Sequence, residues 1–243
     1  SREAEENIYL DEEVLEMLKH WEIGDEEILA RWQMMNDWVY QGFGTTYKRL
    51  GLIFDKIFYE SETYKLGKDI IATGVKKAVF SKDTQDNTVF YLPVSEFGLD
   101  KDGQAKKITV LRPDGTSLYI TQDIGTALMK VTTYNLDRSI YVVGSEQIHH
   151  FKSLFKMLES LGYEWAKGCY HIAYGMVYLP EGKMKSREGK VVDADNLMDE
   201  MTELAMEEIK KRNYDESLTE AEIRDRGEKI GIGAIKFFLL RVR

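Results

Sequence analysis

Apolar residues recur at helical spacing along the first forty positions of the chain. The first set comprises Val14, Leu15, Leu18 and Trp21, and the second comprises Ile28, Leu29, Trp32, Met35 and Val39. Each set follows an aspartate, Asp11 or Asp25, which is a favoured residue at a helix N-terminus. The pattern predicts two helices whose Trp and Met side chains pack into a core, and Gly42 and Gly44 interrupt it.

A different pattern, rich in β-branched and aromatic residues, occupies positions 45–110. Apolar runs at 78–80 and 89–92 are separated by the turn-like segment 82–87, which contains Asp83, Asp86 and Asn87. Such runs bounded by turn residues predict short strands. We interpret this region as a mixed helix and sheet insertion.

From about residue 108 the pattern alternates between strands and helices. Strands are predicted at 108–111, 117–120, 140–143 and 171–174, with one helix opening at Thr121 or Gln122 and another over 151–161. An apolar strand followed by an amphipathic helix is typical of a parallel sheet buried on both faces. The last fifty residues predict helices, capped by Asp195 and by the capping box of Thr219 and Glu222. The expected fold class is therefore α/β.

Composition excludes several classes of protein. The chain has no run of about 18 apolar residues, so no transmembrane helix is expected. Its single cysteine, Cys169, excludes an intrachain disulfide framework and fits a reducing cytosol, and the four His show no metal-ligand spacing. The net charge of −9 argues against tight nonspecific nucleic-acid binding by the whole chain. The chain begins at Ser1 and stops at Arg243 within an apolar run, which predicts a fragment of a longer protein.

Three segments that follow predicted strands could bind a ligand, because open α/β sheets bind ligands at the carboxyl ends of their strands. In the first segment, YITQD at 119–123, a helix that opens near Thr121 would place Tyr119 and Asp123 one turn apart. A carboxylate beside a phenol suits a cationic ligand, and a guanidinium can engage a carboxylate through two hydrogen bonds. The simpler alternative is that Asp123 only stabilises the helix N-terminus.

The second segment runs from Gly144 to Gln147, after the clearest predicted strand. Gln147 could donate and accept hydrogen bonds toward a ligand, or be an ordinary first-turn residue. The adjacent His149 and His150 could act as general bases, although packing or facing a phosphate is the commoner role. No spacing suggests a Ser-His-Asp or Cys-His arrangement, and Cys169 is expected to be buried and inert.

The third segment, 182–190, is a local basic patch in an acidic chain. Its four cations outweigh the single carboxylate of Glu188, and they are Lys183, Lys185, Arg187 and Lys190. Such a loop could clamp a polyphosphate through point charges and accessible backbone N–H groups, although an exposed basic loop without function is common. It is not a P-loop, because the pattern G-x-x-x-x-G-K-[ST] is absent.

In this order, the three segments resemble the class I aminoacyl-tRNA synthetases and, among them, the arginyl enzymes. The matching text comprises DGTSLYITQDIGTA, IYVVGSEQIHHFKSLFKMLESLGY and HIAYGMVYLPEGKMKSREGKVVDADNLMDE, with WQMMNDWVYQGFGTTYKRLGLIFDKIFYESETY upstream. The resemblance covers roughly residues 30 to 240. Each motif alone is weak, whereas four motifs in the right order are specific.

The resemblance implies roles for individual residues. Tyr119 and Asp123 would contact the arginine side chain, with Asp123 as the guanidinium partner, and Gln147 would also contact arginine. Backbone atoms of Met176 and Val177 would lie beside the ATP adenine. A loop that matches the family's KMSKS motif would stabilise the ATP phosphates, with Lys183 as its catalytic cation. The residues of that loop are Lys183, Met184, Lys185, Ser186 and Arg187.

Two departures from the family pattern matter. Ser186 stands where the strict motif has its second Lys, so Lys185 or Arg187 would supply that charge. No HIGH-like motif is present, and in the family that motif lies upstream, in the first half of the catalytic domain. The chain would therefore hold part of an active site and be inactive alone.

The resemblance also implies an architecture of three parts. Residues 1–110 would form the connective insertion, residues 111–192 the second half of a Rossmann-type catalytic domain, and residues 193–243 helices leading toward an anticodon-binding domain. The implied activity is that of an arginine–tRNA ligase, a cytoplasmic monomer that uses arginine, tRNA(Arg) and ATP with its Mg²⁺, without a protein-bound metal or membrane contact. Two alternatives stay open, namely a noncatalytic synthetase-like binding module and a related nucleotidyltransferase acting on another acid.

Overall fold

Two compact units divide the chain. One comprises Ser1–Asp55 and Val192–Ile235, and the other comprises Lys56–Val191 and Lys236–Arg243. We call them the helical unit and the mixed unit. The structure, a computed structural model, describes residues 8–91, 106–176, 192–212 and 218–241. Within those ranges, no helix is both long and apolar enough to cross a membrane. The sequence-based boundaries near residues 110 and 192 stay a prediction.

Helices and strands alternate in the middle of the chain, with helices on either side. In chain order the elements are α1 (Ile8–Ile23), α2 (Glu26–Arg49), α3 (Glu60–Lys76), β1 (Phe80–Lys82), β2 (Val89–Tyr91), β3 (Ile108–Leu111), α4 (Tyr119–Tyr134), β4 (Ser139–Gly144), α5 (Ile148–Ser160), β5 (Cys169–Tyr174), α6 (Ala194–Arg212) and α7 (Glu220–Arg241). A short 3₁₀ turn, Ser145–Gln147, joins β4 to α5, and another, Glu164–Gly168, precedes β5.

The helix caps are partly those predicted. Oδ1 of Asp25 accepts hydrogen bonds from the backbone N–H groups of Glu27 and Ile28, each at 3.1 Å. Thr219 and Glu222 form the predicted capping box at the start of α7. The predicted cap at Asp195 is wrong, because Oδ1 of Asp193 accepts from the first backbone N–H groups of α6 instead. Asp11 is not a cap either, since α1 already begins at Ile8.

Polar side chains tie α2 to α6 and α7 within the helical unit. Arg49 donates to Asp199 at 2.7 Å and to Glu228 at 2.8 Å, and the Thr46 hydroxyl donates to Asp195 at 2.8 Å. The two acidic partners raise the pKa of Arg49, with the Glu228 hydrogen bond as the largest cause. A small apolar cluster of Met198, Ile232 and Ile235, with Leu50, Leu197 and Met201 against it, completes the packing.

The apolar face of α2 is exposed, contrary to the expectation of core packing. Met35 is 59% exposed and Val39 49%, and α2 has no buried residue. Trp32 is half-buried because it packs edge-on against Trp21, with ring centroids 5.5 Å apart. The helix also continues through Gly42 and Gly44, which therefore interrupt only the apolar pattern.

The described residues of the mixed unit form two sheets. Strands β1, β2 and β3 form an antiparallel sheet in that order, and β4 and β5 form a parallel pair in which Gly144 lies opposite Tyr174. Its core is drawn from α3, α4, α5 and the strands, and includes Ile71, Val110, Ile124, Leu154 and Leu158.

One face of the parallel pair packs on that core. Tyr141 of β4 lies against the rings of Phe151 and Phe155, at centroid distances of 5.0 and 5.3 Å. On the opposite face, Ile140 is 59% and Val142 is 63% exposed. The expectation of a sheet buried on both faces is therefore wrong for the described residues.

The strand predicted at 117–120 is also wrong. The turn around Gly115 is closed by Asp114, whose Oδ1 accepts from the backbone N–H of Thr116 at 2.8 Å. In the described part of the chain, sheet pairing after the turn is limited to one bridge between Ser117 and Leu111. The Leu118 carbonyl then accepts from the N–H of Thr121, and the chain is helical from Tyr119 onward.

Two glycines let α3 and α4 approach closely. A Cβ on Gly67 would lie 2.1 Å from the carbonyl oxygen of Thr121, and one on Gly125 would lie 2.3 Å from the carbonyl oxygen of Thr63. Hydroxyl groups follow the same contact, where Thr126 donates to Thr63 at 3.0 Å. The side chain of Thr121 also donates to the Val110 carbonyl, which anchors α4 to β3.

Candidate active site

Tyr119 and Asp123 lie one turn apart at the start of α4, as the sequence predicts. Tyr119 is 75% exposed, and the Asp123 side chain is 39% exposed. Asp123 is the fifth residue of the helix, and Oδ2 of its carboxylate takes a hydrogen bond from a side chain of another helix. The simpler alternative, a carboxylate that only stabilises the helix N-terminus, is therefore an incomplete description of its contacts.

The partner of Asp123 is His150, the third residue of α5. Nε2 of His150 lies 2.6 Å from Oδ2 of Asp123. A carboxylate only accepts hydrogen bonds, so Nε2 carries the hydrogen. The sequence indicates a base or a packing residue at His150 and does not reveal this contact. One feature of the sequence points toward a role at the site. His150 lies one turn after Gln147, in the helix that follows the carboxyl end of β4, where a ligand is expected.

Gln147 and Met176 lie near the carboxyl ends of the two parallel strands. Gln147 is exposed at the end of the 3₁₀ turn that follows β4. Gly144 ends β4, and a Cβ there would lie 3.6 Å from Sδ of Met176. Gln147 and Met176 therefore both lie at the carboxyl ends of the parallel strands, where open α/β sheets bind their ligands.

A cavity of about 410 Å³ opens beside Tyr119 and His150. Its polar lining comprises Thr109, Tyr119, Glu146, His149, His150 and Ser153, and its apolar lining comprises Ile108, Leu118 and Ile120. The volume is within the usual range of small-molecule sites. In such sites the wall is mostly apolar, and a few polar groups fix the orientation of the ligand.

A half-buried lysine lies on the same helix as Asp123. Nζ of Lys130 is 4.6 Å from the centre of the Tyr141 ring. Burial lowers the pKa of Lys130, while the Asp123 carboxylate opposes that shift. Burial also raises the pKa of Tyr141 to about 12 and raises the pKa of the Cys169 thiol. A raised pKa leaves less of the reactive thiolate. Cys169 is half-buried rather than buried, and its expected inertness stays a prediction.

The remaining predicted site residues lie outside the described residues. They are Val177 and the basic loop of Lys183, Met184, Lys185, Ser186 and Arg187. Their roles stay predictions. Among the residues that are described, no group of three or more His, Cys, Asp or Glu is placed to hold a metal ion.

Comparison with known proteins shows which family the chain belongs to. The sequence model described as tRNA synthetases class I (R), catalytic domain, matches residues 1–242. The chain belongs to this family. Curated relatives of this synthetase chain include arginine–tRNA ligases from Bacteroides thetaiotaomicron, 49% identical over 240 residues, and Amoebophilus asiaticus, 46% identical over 242 residues. These matches cover 99% and 100% of this chain but 39% of each relative, so the chain spans about two-fifths of their length.

Solved structures share the fold of this synthetase chain. The arginyl-tRNA synthetase of Plasmodium falciparum matches 95% of the chain with a TM-score of 0.73 at 18% identity, over 37% of its own length. The Thermus thermophilus enzyme matches 94% with a TM-score of 0.68 at 17% identity, over 45% of its length. The expected fold, an α/β region of a class I synthetase catalytic domain, is thereby confirmed.

Proposed function

We propose that the full-length protein containing this chain is an arginine–tRNA ligase. A carboxylate oxygen of arginine bonds to the α-phosphorus of ATP, and the bond from that phosphorus to the departing pyrophosphate breaks. The terminal ribose hydroxyl of tRNA(Arg) then takes the arginyl group from the resulting adenylate and AMP leaves. The observation that carries the proposal is the family match over residues 1–242, together with the contact between Asp123 and His150, a residue that lines the same cavity as Tyr119.

Asp123 is the proposed partner of the arginine guanidinium. Its partly exposed carboxylate lies one turn from Tyr119, whose ring lines the cavity. A guanidinium and a carboxylate are both planar and can share two parallel hydrogen bonds, which the single ammonium of lysine does not reproduce. Gln147, exposed after β4, supplies a further polar contact to arginine. A site built on such pairs rejects an analogue that leaves its polar groups unpaired.

The ATP contacts are proposed for the carboxyl ends of β4 and β5 and for the basic loop. Met176 and Val177 lie by the adenine in this proposal. The loop of Lys183, Met184, Lys185, Ser186 and Arg187 stabilises the charge that develops as pyrophosphate leaves, with Lys183 contributing most. Mg²⁺ arrives with ATP and balances its charge. Catalysis then rests on positioning and charge stabilisation, and no side-chain nucleophile is needed.

The three-part architecture and the setting are part of the same proposal. Residues 1–110 form the connective insertion, 111–192 the second half of the catalytic domain and 193–243 the helices toward the anticodon-binding domain. The protein acts in the cytoplasm as a monomer, where tRNA(Arg) is its partner.

Pyrophosphate exchange tests the proposed function. The full-length protein, with tRNA(Arg) present, is assayed for exchange of labelled pyrophosphate into ATP with arginine or with lysine. We expect exchange with arginine only, and its loss in Asp123→Ala with ATP binding retained. A noncatalytic module would show no exchange with either amino acid, and a different nucleotidyltransferase would show exchange with another acid; either result would refute the proposal.

A further inference from the structure

The hydrogen bond between His150 and Asp123 is not used by any step of the proposed reaction. The Asp123 carboxylate, 39% exposed, accepts a hydrogen bond from Nε2 of His150, which is only 23% exposed. The contact joins α4 to α5, and both helices are packed into the same core through Ile124 and Phe151. The less exposed and better anchored member of the pair is the histidine.

His150 has a fixed position for this contact. It precedes Phe151, whose ring lies 4.5 Å from that of His171 and 5.0 Å from that of Tyr141. His171 in turn contacts the Val143 carbonyl through its Nε2 at 2.9 Å. The first turns of α5 are therefore anchored to both parallel strands, and the imidazole presents its Nε2–H from a rigid base.

A carboxylate has two oxygens and about four lone-pair directions, so one donor does not exhaust it. Among the described residues, the hydrogen bond to this carboxylate comes from His150 and occupies one direction on Oδ2, so that Oδ1 and the second direction on Oδ2 are open to a ligand. A guanidinium that binds through two hydrogen bonds requires the plane of the carboxylate to be set. An Asp side chain without this hydrogen bond would lose rotational freedom when the ligand binds, which costs conformational entropy. A carboxylate that is already held by His150 has its orientation before the ligand arrives.

We propose that His150 is a positioning residue for Asp123, which holds the carboxylate in the orientation that takes the planar cation of the substrate. The inference rests on the proposed function, since it needs Asp123 to be the guanidinium partner. His150 does not touch the reacting carboxylate or phosphate in this account. Its loss therefore weakens arginine binding and leaves the rate of the chemical step nearly unchanged.

The test measures KM and kcat for arginine in pyrophosphate exchange by the full-length protein. We expect His150→Leu to raise KM for arginine about tenfold, equivalent to about 1.4 kcal/mol, with kcat within about threefold of the parent. His150→Gln places an amide N–H near the position of Nε2 and recovers most of the lost affinity. His150→Asn carries the same amide on a shorter side chain and does not.

The chain offers a matched control. Nδ1 of His20 lies 3.1 Å from Oδ2 of Asp25, so the helical unit contains a second His–Asp contact. His20→Leu removes that contact and leaves KM for arginine unchanged. Melting temperatures of all variants identify any general loss of folding.

The outcomes separate the inference from the function on which it rests. If the parent shows no arginine-dependent exchange, the proposed function fails and the inference with it. If Asp123→Asn raises KM strongly but His150→Leu does not, the function stands and His150 has no positioning role. If Leu, Gln and Asn at position 150 all raise KM equally, or all lower kcat instead, the contact is only a structural tether and the inference is wrong. Should His150→Leu fail to fold, the comparison of Gln with Asn gives the same decision.

Discussion

Replacing Gly67 by alanine tests the close approach of α3 to the helix that carries Tyr119 and Asp123. A Cβ at this position would lie 2.1 Å from the carbonyl oxygen and 2.9 Å from the carbonyl carbon of Thr121. Both atoms belong to the backbone of α4, so no flexible side chain can move aside. The helices must separate, and the packing around Ile71 and Ile124 separates with them.

The size of the effect follows from two opposing contributions. Alanine in place of glycine inside a helix stabilises it by up to about 1 kcal/mol. Overpacking a tight core costs about 1–3 kcal/mol, and a clash with backbone belongs at the upper end of that range. The expected net loss for Gly67→Ala is therefore about 2 kcal/mol.

Hydrogen exchange, read by mass spectrometry on peptides from each helix, measures this loss locally. A loss of about 2 kcal/mol corresponds to roughly 30-fold faster exchange in α4. Gly42→Ala in α2 is the control of opposite sign, because a Cβ there meets nothing within 4 Å and only the gain in helix propensity remains. We expect exchange in α2 to slow severalfold in that variant. Unchanged or slower exchange of α4 in Gly67→Ala would refute the reasoning.

Two further predictions concern a helix cap and the basic loop. Hydrogen bonds from the Ile28 N–H, from His20 and from the Glu27 N–H lower the pKa of Asp25 from its ordinary 3.8, so the cap contributes fully above that pH and its contribution is lost as the pH falls through the lowered pKa. The melting-temperature difference between the parent and Asp25→Ala should therefore vanish in acid, and a difference independent of pH would contradict this account. We also expect Lys183→Ala to slow adenylate formation more than it weakens arginine binding, because its charge is needed as pyrophosphate leaves. Unchanged exchange rates in that variant would exclude this role for Lys183.

The helices of this chain were predictable where their signals are local. Asp25 and the pair of Thr219 and Glu222 cap helices as their spacing predicts, since a cap depends on neighbouring residues alone. The strand predicted at 117–120 was wrong because a short apolar run is compatible both with a strand and with the start of a buried helix. The local turn closed by Asp114 precedes the helix, and the hydrogen bond from Thr121 to Val110 of β3, which the sequence does not reveal, anchors its first turn.

The sequence predicted the residue types of the candidate site, but it predicted only some of the contacts between them. Tyr119 and Asp123 are related by a single helical turn, which a sequence shows directly. The hydrogen bond between His150 and Asp123 joins residues 27 positions apart on different helices, and only the packing of α4 and α5 brings them together. The contact between Lys130 and Tyr141 likewise joins α4 to β4, with the ammonium of Lys130 4.6 Å from the ring centre, and the sequence does not show it.

Calorimetric titration of the full-length protein with arginine tests directly whether Asp123 binds the guanidinium of arginine. Lysine and the Asp123→Ala variant are the controls. The account predicts that arginine binds at least about 100-fold more tightly than lysine, and that Asp123→Ala loses this binding while ATP still binds. Equal arginine affinity in the parent and in Asp123→Ala would contradict the assignment of Asp123 as the guanidinium partner.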